Sequence, residues 1–315
     1  MRSKSAVIAA ARGPAFRLRA AALLFFAAQL ALPARPLHAA KIYPSAGSTS
    51  AAFLKIGVGA RAVAMGGAYT ALPGDPYALY WNPAGLADAD GRRFSFTHND
   101  YFSGLAQEYA VYTLPSSGVV LLPKGPARSG TTGFSINYFY TGKDLERRSS
   151  GEESLNTIAT PEGKFGAHDL AFTMGFGFRR SDAVRAGAAV KFISQTIDDR
   201  SGASAALDLG GLYDFTWRGR AFTAGLAVQN LGPSLKFNER GYPLPLTGRA
   251  GLSTRLDGGT VLALDLSKAI DNYPFLAAGA EHPLGEKLLL RCGYRLRQHG
   301  NESGGLSGFS GGIGF

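Results

Sequence analysis

The feature that most constrains this chain is a period of two, sustained over segments of 10–15 residues from about residue 92 onward. In residues 166–180 the even positions read His168, Leu170, Phe172, Met174, Phe176 and Phe178, against Ala167, Asp169, Ala171, Thr173, Gly175 and Gly177. Residues 183–197, 203–217 and 286–297 repeat the pattern, with Val184, Val190, Phe192, Leu207, Leu209, Tyr213, Trp217, Leu288 and Leu290 on the apolar side. Such alternation makes one face of a strand apolar and leaves the other polar. Strands of soluble sandwiches are usually about five or six residues long, whereas tilted strands crossing a bilayer need roughly 9–11. The second face carries mostly Gly, Ala, Ser and Thr, which suits a crowded lumen. The 42 glycines in 315 residues, about twice ordinary usage, have no collagen period. The predicted fold class is therefore all-β: a transmembrane antiparallel β-barrel of 12–14 strands.

Twelve strands are predicted, over residues 92–98, 107–114, 130–141, 166–180, 183–197, 203–217, 219–230, 245–257, 259–268, 272–283, 286–297 and 306–315. Connections near 181–182, 218, 258 and 284–285 are very short. Those near 142–165, 231–244 and 298–305 are long and polar or rich in Pro and Gly, giving the short-turn, long-loop alternation of bacterial outer-membrane barrels. Two connections depart from it: 198–202 is short, and 115–129 is long enough for Val119–Leu122 to hide part of a further strand.

Residues 1–40 hold six basic residues and no acidic one, and residues 20–32 are apolar except for Gln29. Pro33, Pro36 and the small pair Ala39 and Ala40 follow, the order of a secretory signal peptide. The remainder carries 27 basic against 23 acidic residues with no basic block, so the +10 charge does not indicate a nucleic-acid partner. The single Cys292 excludes a disulfide framework and a cysteine-based zinc cluster. Its neighbours Leu290 and Tyr294 make it an apolar filler.

One hairpin can be given a register. If partners sum to 399, with residues 198–201 as the loop, Lys191 faces Asp208 and Arg185 faces Asp214 on the lumen side, while Phe192 faces Leu207 and Val184 faces Phe215. Opposite charges across strands stabilise by about 0.2–1 kcal/mol. The last predicted strand places Phe309, Ile313 and Phe315 on one face, and its terminal aromatic resembles the signal read by the outer-membrane assembly machinery.

Residues 45–91 do not alternate. They contain Gly66, Gly67, a turn at Pro73-Gly74-Asp75-Pro76, and Trp81-Asn82-Pro83-Ala84-Gly85, where Asn-Pro biases Asn82 away from helical angles. A compact glycine-rich segment ahead of a barrel can fold inside it as a plug. The expected organisation is a signal peptide (1–40), a hatch (41–91) and a barrel (92–315). The stretch FLKIGVGARAVAMGGAYTAL followed by ALYWNPAGLA, within residues 53–87, resembles the N-terminal signature of the PorV/PorQ family of outer-membrane proteins. That family is similar to FadL-class transporters of hydrophobic compounds, whose hatch also carries an Asn-Pro-Ala element and whose barrels have fourteen strands. The resemblance implies that Asn82, Pro83 and Ala84 belong to the hatch, with Gly66, Gly67, Trp81 and Gly85 beside them.

Motifs for chemistry lack their context. Gly57-x-Gly59-x-x-Ala62 has no βαβ unit around it. Ser310 sits in a G-x-S-x-G string, but in a last strand with no helix to follow. Asp88-x-Asp90-Gly91 lacks the rest of a calcium loop. His98, His168, His282 and His299 are scattered, with His168 at a strand end near the interface. Arg147-Arg148 and Glu152-Glu153 read as solvated loop charge. No enzyme, cofactor or metal site is expected. The expected location is the bacterial outer membrane, with its lipid and assembly machinery as partners. Two roles remain open: passage or capture of a hydrophobic ligand, and, from the family resemblance, reception of secreted proteins in a type IX secretion system.

Overall fold

Alternating strands need partners for every backbone group, and the chain supplies them mostly by folding each strand against the next. A computed structural model describes residues 43–116, 130–142, 145–147, 163–237, 240–297 and 305–315. The signal-peptide, Val119–Leu122, His299, Arg148 and Glu152-Glu153 expectations lie outside these residues. The strands are β1 (Arg93–Asp100), β2 (Leu105–Ser116), β3 (Gly130–Thr141), β4 (Leu145–Arg147), β5 (Gly163–Phe165), β6 (Ala167–Arg179), β7 (Val184–Ile197) and β8 (Arg200–Trp217). They continue with β9 (Arg220–Leu231), β10 (Leu235–Phe237), β11 (Arg240–Tyr242), β12 (Thr247–Arg255), β13 (Val261–Ala269), β14 (Phe275–Leu284), β15 (Leu288–Arg297) and β16 (Phe309–Gly314).

Twelve of these form one antiparallel sheet in the order β1-β2-β3-β6-β7-β8-β9-β12-β13-β14-β15-β16. Each of the twelve overlaps one of the twelve predicted segments. The remaining four pair as two small hairpins, β4–β5 and β10–β11, inside two of the three connections expected to be long, 142–165 and 231–244. Among the described residues β1 and β16 are the edges of the sheet, each paired on one side only. The described wall and hatch fall within one unit, Ala40–Asn301 with Gly308–Phe315; of the other, Met1–Ala39 with Glu302–Ser307, only residues 305–307 are described.

The predicted register of the β7–β8 hairpin is off by two. Val184 pairs with Tyr213, Lys191 with Ala206 and Ile197 with Arg200, so partners sum to 397. Asp198 adopts φ 56°, which closes the hairpin through residues 198 and 199 alone. The four-residue loop assumed from the sequence is replaced by this tight turn. A slip of two keeps every side chain on its face, whereas a slip of one would invert the hairpin.

The outward face is apolar along the sheet. Phe96, Tyr112, Ile136, Phe172, Val190, Leu209, Leu226, Leu252, Leu264, Leu276, Leu290 and Ile313 all point out and are exposed. The inward face carries the buried polar residues Gln107, Asn137, Asp169, Lys191, Asp208, Gln229, Arg249, Asp265 and Glu281. This inverts a water-soluble protein and matches a wall with lipid outside and a polar interior.

Candidate functional site

Inside the wall lies the hatch, residues 43–91. Few of its residues can pack by periodicity, so glycines and turns set its course. Helix α1 (Ala60–Ala64) ends on Gly66 and Gly67, both left-handed at φ 71° and 82°, a conformation that favours glycine. Helix α2 (Ala78–Trp81) runs into Asn82, which is extended, as a residue before proline prefers. Asn82 Oδ1 then accepts the Ala84 amide at 3.1 Å, capping the 3-10 turn Pro83–Asp88. Its amide nitrogen donates to Thr70 O (2.8 Å) and to Gly211 O of the wall (3.2 Å). Asn82 thus ties its own turn, a second hatch turn and β8 together.

The hatch meets all twelve strands of the sheet. Tyr77 bonds Thr97 of β1 at 2.6 Å and stacks on Tyr109 of β2. Leu79 faces Gly133 and Gly175 of β3 and β6; Pro83 and Asn82 face Gly187 and Gly210 of β7 and β8. Thr70 faces Gly225 and Gly251 of β9 and β12, and the Tyr69 and Thr70 amides donate to Asp265 of β13 at 3.0 and 2.9 Å. Met65 faces Gly279 of β14, Gly66 faces Gly293 of β15, and Ser310 of β16 donates to Ala64 O at 3.0 Å. A segment of about 25 residues can touch one face of all twelve strands only if the sheet curls around it.

The contacts are close because the wall has no side chains there. A Cβ on Gly225 would stand 2.5 Å from Thr70 O, on Gly279 2.6 Å from Met65 O, and on Gly177 2.6 Å from Pro83 O. Several of these glycines pair across strands, among them Gly133 with Gly175, Gly187 with Gly210, Gly225 with Gly251, and Gly279 with Gly293. They form a belt on which the hatch backbone rests. Part of the high glycine content is thus a docking surface.

Ionic and polar contacts secure the ends of the hatch. Arg61 grips Glu281 with two hydrogen bonds of 2.8 and 2.7 Å, and Arg291 reaches the same carboxylate at 2.7 Å. Asp88 holds Arg179 at 2.5 Å and also Arg185, which in turn pairs with Asp214. Lys191 Nζ lies 2.7 Å from Asp208 Oδ2 and 2.7 Å from Asn230 Oδ1, with both members of the ion pair buried. The two charged pairs named from the sequence are therefore diagonal neighbours in the observed register. Gln229 takes a hydrogen bond from Arg249 (2.7 Å) and donates to Tyr80 O, while the Arg249 guanidinium lies 4.8 Å from the Trp81 ring. Trp81 Nε1 donates to Val58 O at 3.0 Å.

At the end of the wall carrying the long connections, residues 51–56 close a smaller apolar cluster. Phe53 and Leu54 are buried there with Ala171, Ile193, Ala206, Leu235 and Leu244. Thr49 (2.6 Å) and Lys55 both donate to Asp271, in the β13–β14 connection. Burial would raise the Asp271 carboxyl, but the hydrogen bonds from Lys55 and Thr49 outweigh it and hold the carboxyl below its ordinary range. A depressed folded pKa stabilises the contact above the unfolded value of about 3.9, and that stabilisation is lost as pH falls through the folded value. Pepsin is expected to spare the Phe53–Leu54 bond at pH 4 and cut it near pH 2, whereas Asp271→Asn is cut at both. Equal cutting of the two proteins at pH 4 would contradict this latch.

Sequence reasoning located the hatch but missed Gln229, Asn230, Arg249, Asp265, Asp271 and Glu281, which hold it. The five that lie within strands (all but Asp271) are buried polar residues, with Gln229 and Asn230 adjacent at a bulge, a signal readable only once the hatch is known to lie against them. Ser310 is engaged with the Ala64 carbonyl, while His98 and His168 are exposed on the outward face. Phe309, Ile313 and Phe315 are exposed on the outward face at the last strand.

No family model matches the chain, and neither does any curated protein. Among solved structures, a Pseudomonas aeruginosa FadL homologue is similar at 13% identity and a TM-score of 0.42, covering 84% of this chain and 82% of that one. The Pseudomonas putida toluene transporter TodX gives 14% identity and 0.40, covering 76% and 92%. Outer membrane phospholipase A from Escherichia coli gives 11% and 0.33, covering 71% and 88%.

Proposed function

We propose that this chain is an outer-membrane barrel, shut by its own hatch, that captures a hydrophobic compound at its outer mouth and passes it on when the hatch shifts. The apolar outward belt faces lipid, the short turns lie in the periplasm and the long connections face outward. The observation that supports the reading is the contact of the hatch with all twelve strands, which sets Asn82 and Gly85 across the interior of the wall. The apolar mouth supports it further: Phe53 and Leu54 fill a space lined by Ile193, Leu235 and Leu244 that suits an apolar guest. Residues 1–40 act as the export signal, and Phe309, Ile313 and Phe315 guide assembly into the membrane.

The test is the mouth. Phe53→Ala with Leu54→Ala frees the volume of two large side chains, so a fluorescent naphthylamine probe should bind the purified barrel about tenfold more tightly. Unchanged binding defeats capture at this place.

A second reading follows from the resemblance of residues 53–87 to the PorV/PorQ family. In it the barrel receives secreted proteins of a type IX system and passes no small molecule. A hatch packed against the inner face is compatible with that role, since a docking partner needs no passage. Co-purification with proteins bearing the matching C-terminal sorting domain, together with an unresponsive mouth, favours this alternative.

A further inference from the structure

The turn joining β8 and β9 closes through Arg218 and Gly219 alone, both left-handed at φ 51° and 75°. Two-residue turns of this kind favour Asn, Asp or Gly at the first position, and a long side chain there works against the backbone. Arg218 is therefore a disfavoured residue in a turn that Asn would close better, and such local strain gathers at functional places. Its guanidinium lies 4.7 Å from the centre of the Trp217 ring, so the turn delivers a cation to the outward face. Arg220 is the cross-strand partner of Trp217 and shares that face. Both arginines are exposed. Asp182 and Asp257 stand in the two flanking turns, yet among the described residues no ion pair engages Arg218 or Arg220. Asp214, on the inner side of β8, is taken by Arg185.

We propose that this corner of the wall binds the phosphate of an anionic glycerophospholipid in the periplasmic leaflet. The inference rests on the membrane orientation given above, which puts the short turns on the periplasmic side. A guanidinium lying on an indole keeps its N–H edge free, and two such groups beside one ring suit the oxygens of a single phosphate. Next to them Phe215 stacks on Phe222, with ring centroids 5.6 Å apart and planes at 18°, and Tyr213 stacks on Phe215. The same face continues along both strands to the exposed Leu209 and Leu226, a surface for acyl chains. This continuity from paired cations to apolar wall selects a lipid over a free phosphate.

The experiment titrates the full chain, purified in non-ionic detergent, with phosphatidylglycerol, diacylglycerol, bis-phosphorylated lipid A and glycerol phosphate, read by native mass spectrometry. Phosphatidylglycerol should bind at least tenfold more tightly than diacylglycerol. Arg218→Asn should erase most of that preference without lowering the urea midpoint, because Asn fits the left-handed turn. Arg220→Gln should narrow the preference severalfold. Arg240→Gln, on the β10–β11 hairpin at the opposite end of the wall, should change nothing. An Arg218→Asn chain with a lowered midpoint and an intact preference would make Arg218 a brace for the turn and overturn the site. Equal binding of phosphatidylglycerol and diacylglycerol overturns it too. Lipid A binding as tightly as phosphatidylglycerol overturns the leaflet, and glycerol phosphate doing so overturns the lipid. A chain that stays dispersed without detergent instead defeats the membrane reading itself.

Discussion

Barrels carrying Gly187→Ala together with Gly210→Ala are expected to assemble and leak. The inward direction is occupied by hatch backbone at Gly187 and by the Asn82 side chain and Pro83 ring at Gly210. A Cβ on Gly187 would lie 2.5 Å from Ala84 N and overlap the carbonyl carbon of Pro83, while one on Gly210 would overlap Asn82 Oδ1 and stand 3.0 Å from Pro83 Cδ. The Pro83–Ala84 backbone cannot swing aside, and the Asn82 amide is held by its bonds to Thr70 O, Gly211 O and Ala84 N, so the turn at Asn82–Ala84 must lift or the two central strands must bow outward. Overpacking of this kind costs about 1–3 kcal/mol per site. Each 1.4 kcal/mol is about a factor of ten in a population, so the pair together should raise the unseated fraction by about a hundredfold. Liposome swelling with small sugars would then be at least tenfold faster than with the parent chain. Gly248→Ala is the control, since a Cβ there meets nothing within 4 Å. Swelling no faster than the control's would show that the Asn82–Ala84 contact does not seal the lumen.

Asp208→Ala is expected to be the most destabilising single exchange in the wall. Asp208 is fully buried, pairs with Lys191 at 2.7 Å, and accepts the amide of Asn230 at 2.8 Å, where the chain bulges at φ 62°. Removing the carboxylate strands a buried ammonium and an amide on the inner face. Breaking a buried pair from one side costs about 3–5 kcal/mol, whereas replacing both members by apolar groups of similar size is often neutral. The double exchange Lys191→Met with Asp208→Leu should therefore recover most of the midpoint lost by Asp208→Ala in urea unfolding of the detergent-folded barrel. Lys191 also touches Asn230 at 2.7 Å, so recovery will be incomplete by the value of that bond. A single variant with the parent's midpoint would mean that Lys191 is already satisfied elsewhere.

The wall was legible because its physics is local: a two-residue period reports which side chains face lipid, whatever lies inside. Residues 166–180 and 183–197 show this most clearly, and both correspond to observed strands within about a residue. Register was less legible. The partner of Lys191 depends on whether a turn closes over two residues or four, and Asp198 at φ 56° settles that through a conformation its letter does not announce. The short strands β4, β5, β10 and β11 were missed because three residues carry too little periodicity to stand out from a loop. In the hatch, the order Asn82-Pro83-Ala84 marked a special turn, but not its partners. Gly211, which accepts from the Asn82 amide, lies 129 residues away, and Gln229, Arg249 and Asp265, which hold neighbouring hatch residues, lie about 150–200 away on strands whose faces are otherwise ordinary.

The hydrogen bonds that seat the hatch join positions separated by 246 residues at Ala64 and Ser310, 229 at Gly66 and Arg295, and 220 at Arg61 and Glu281. Contacts this distant along a chain form late, because the intervening loop must be ordered before they can. A polypeptide that has not yet laid down its final strands has nowhere to set α1. Docking of the hatch is thereby conditional on completeness, since its seat exists only when the last strands of the wall are in place.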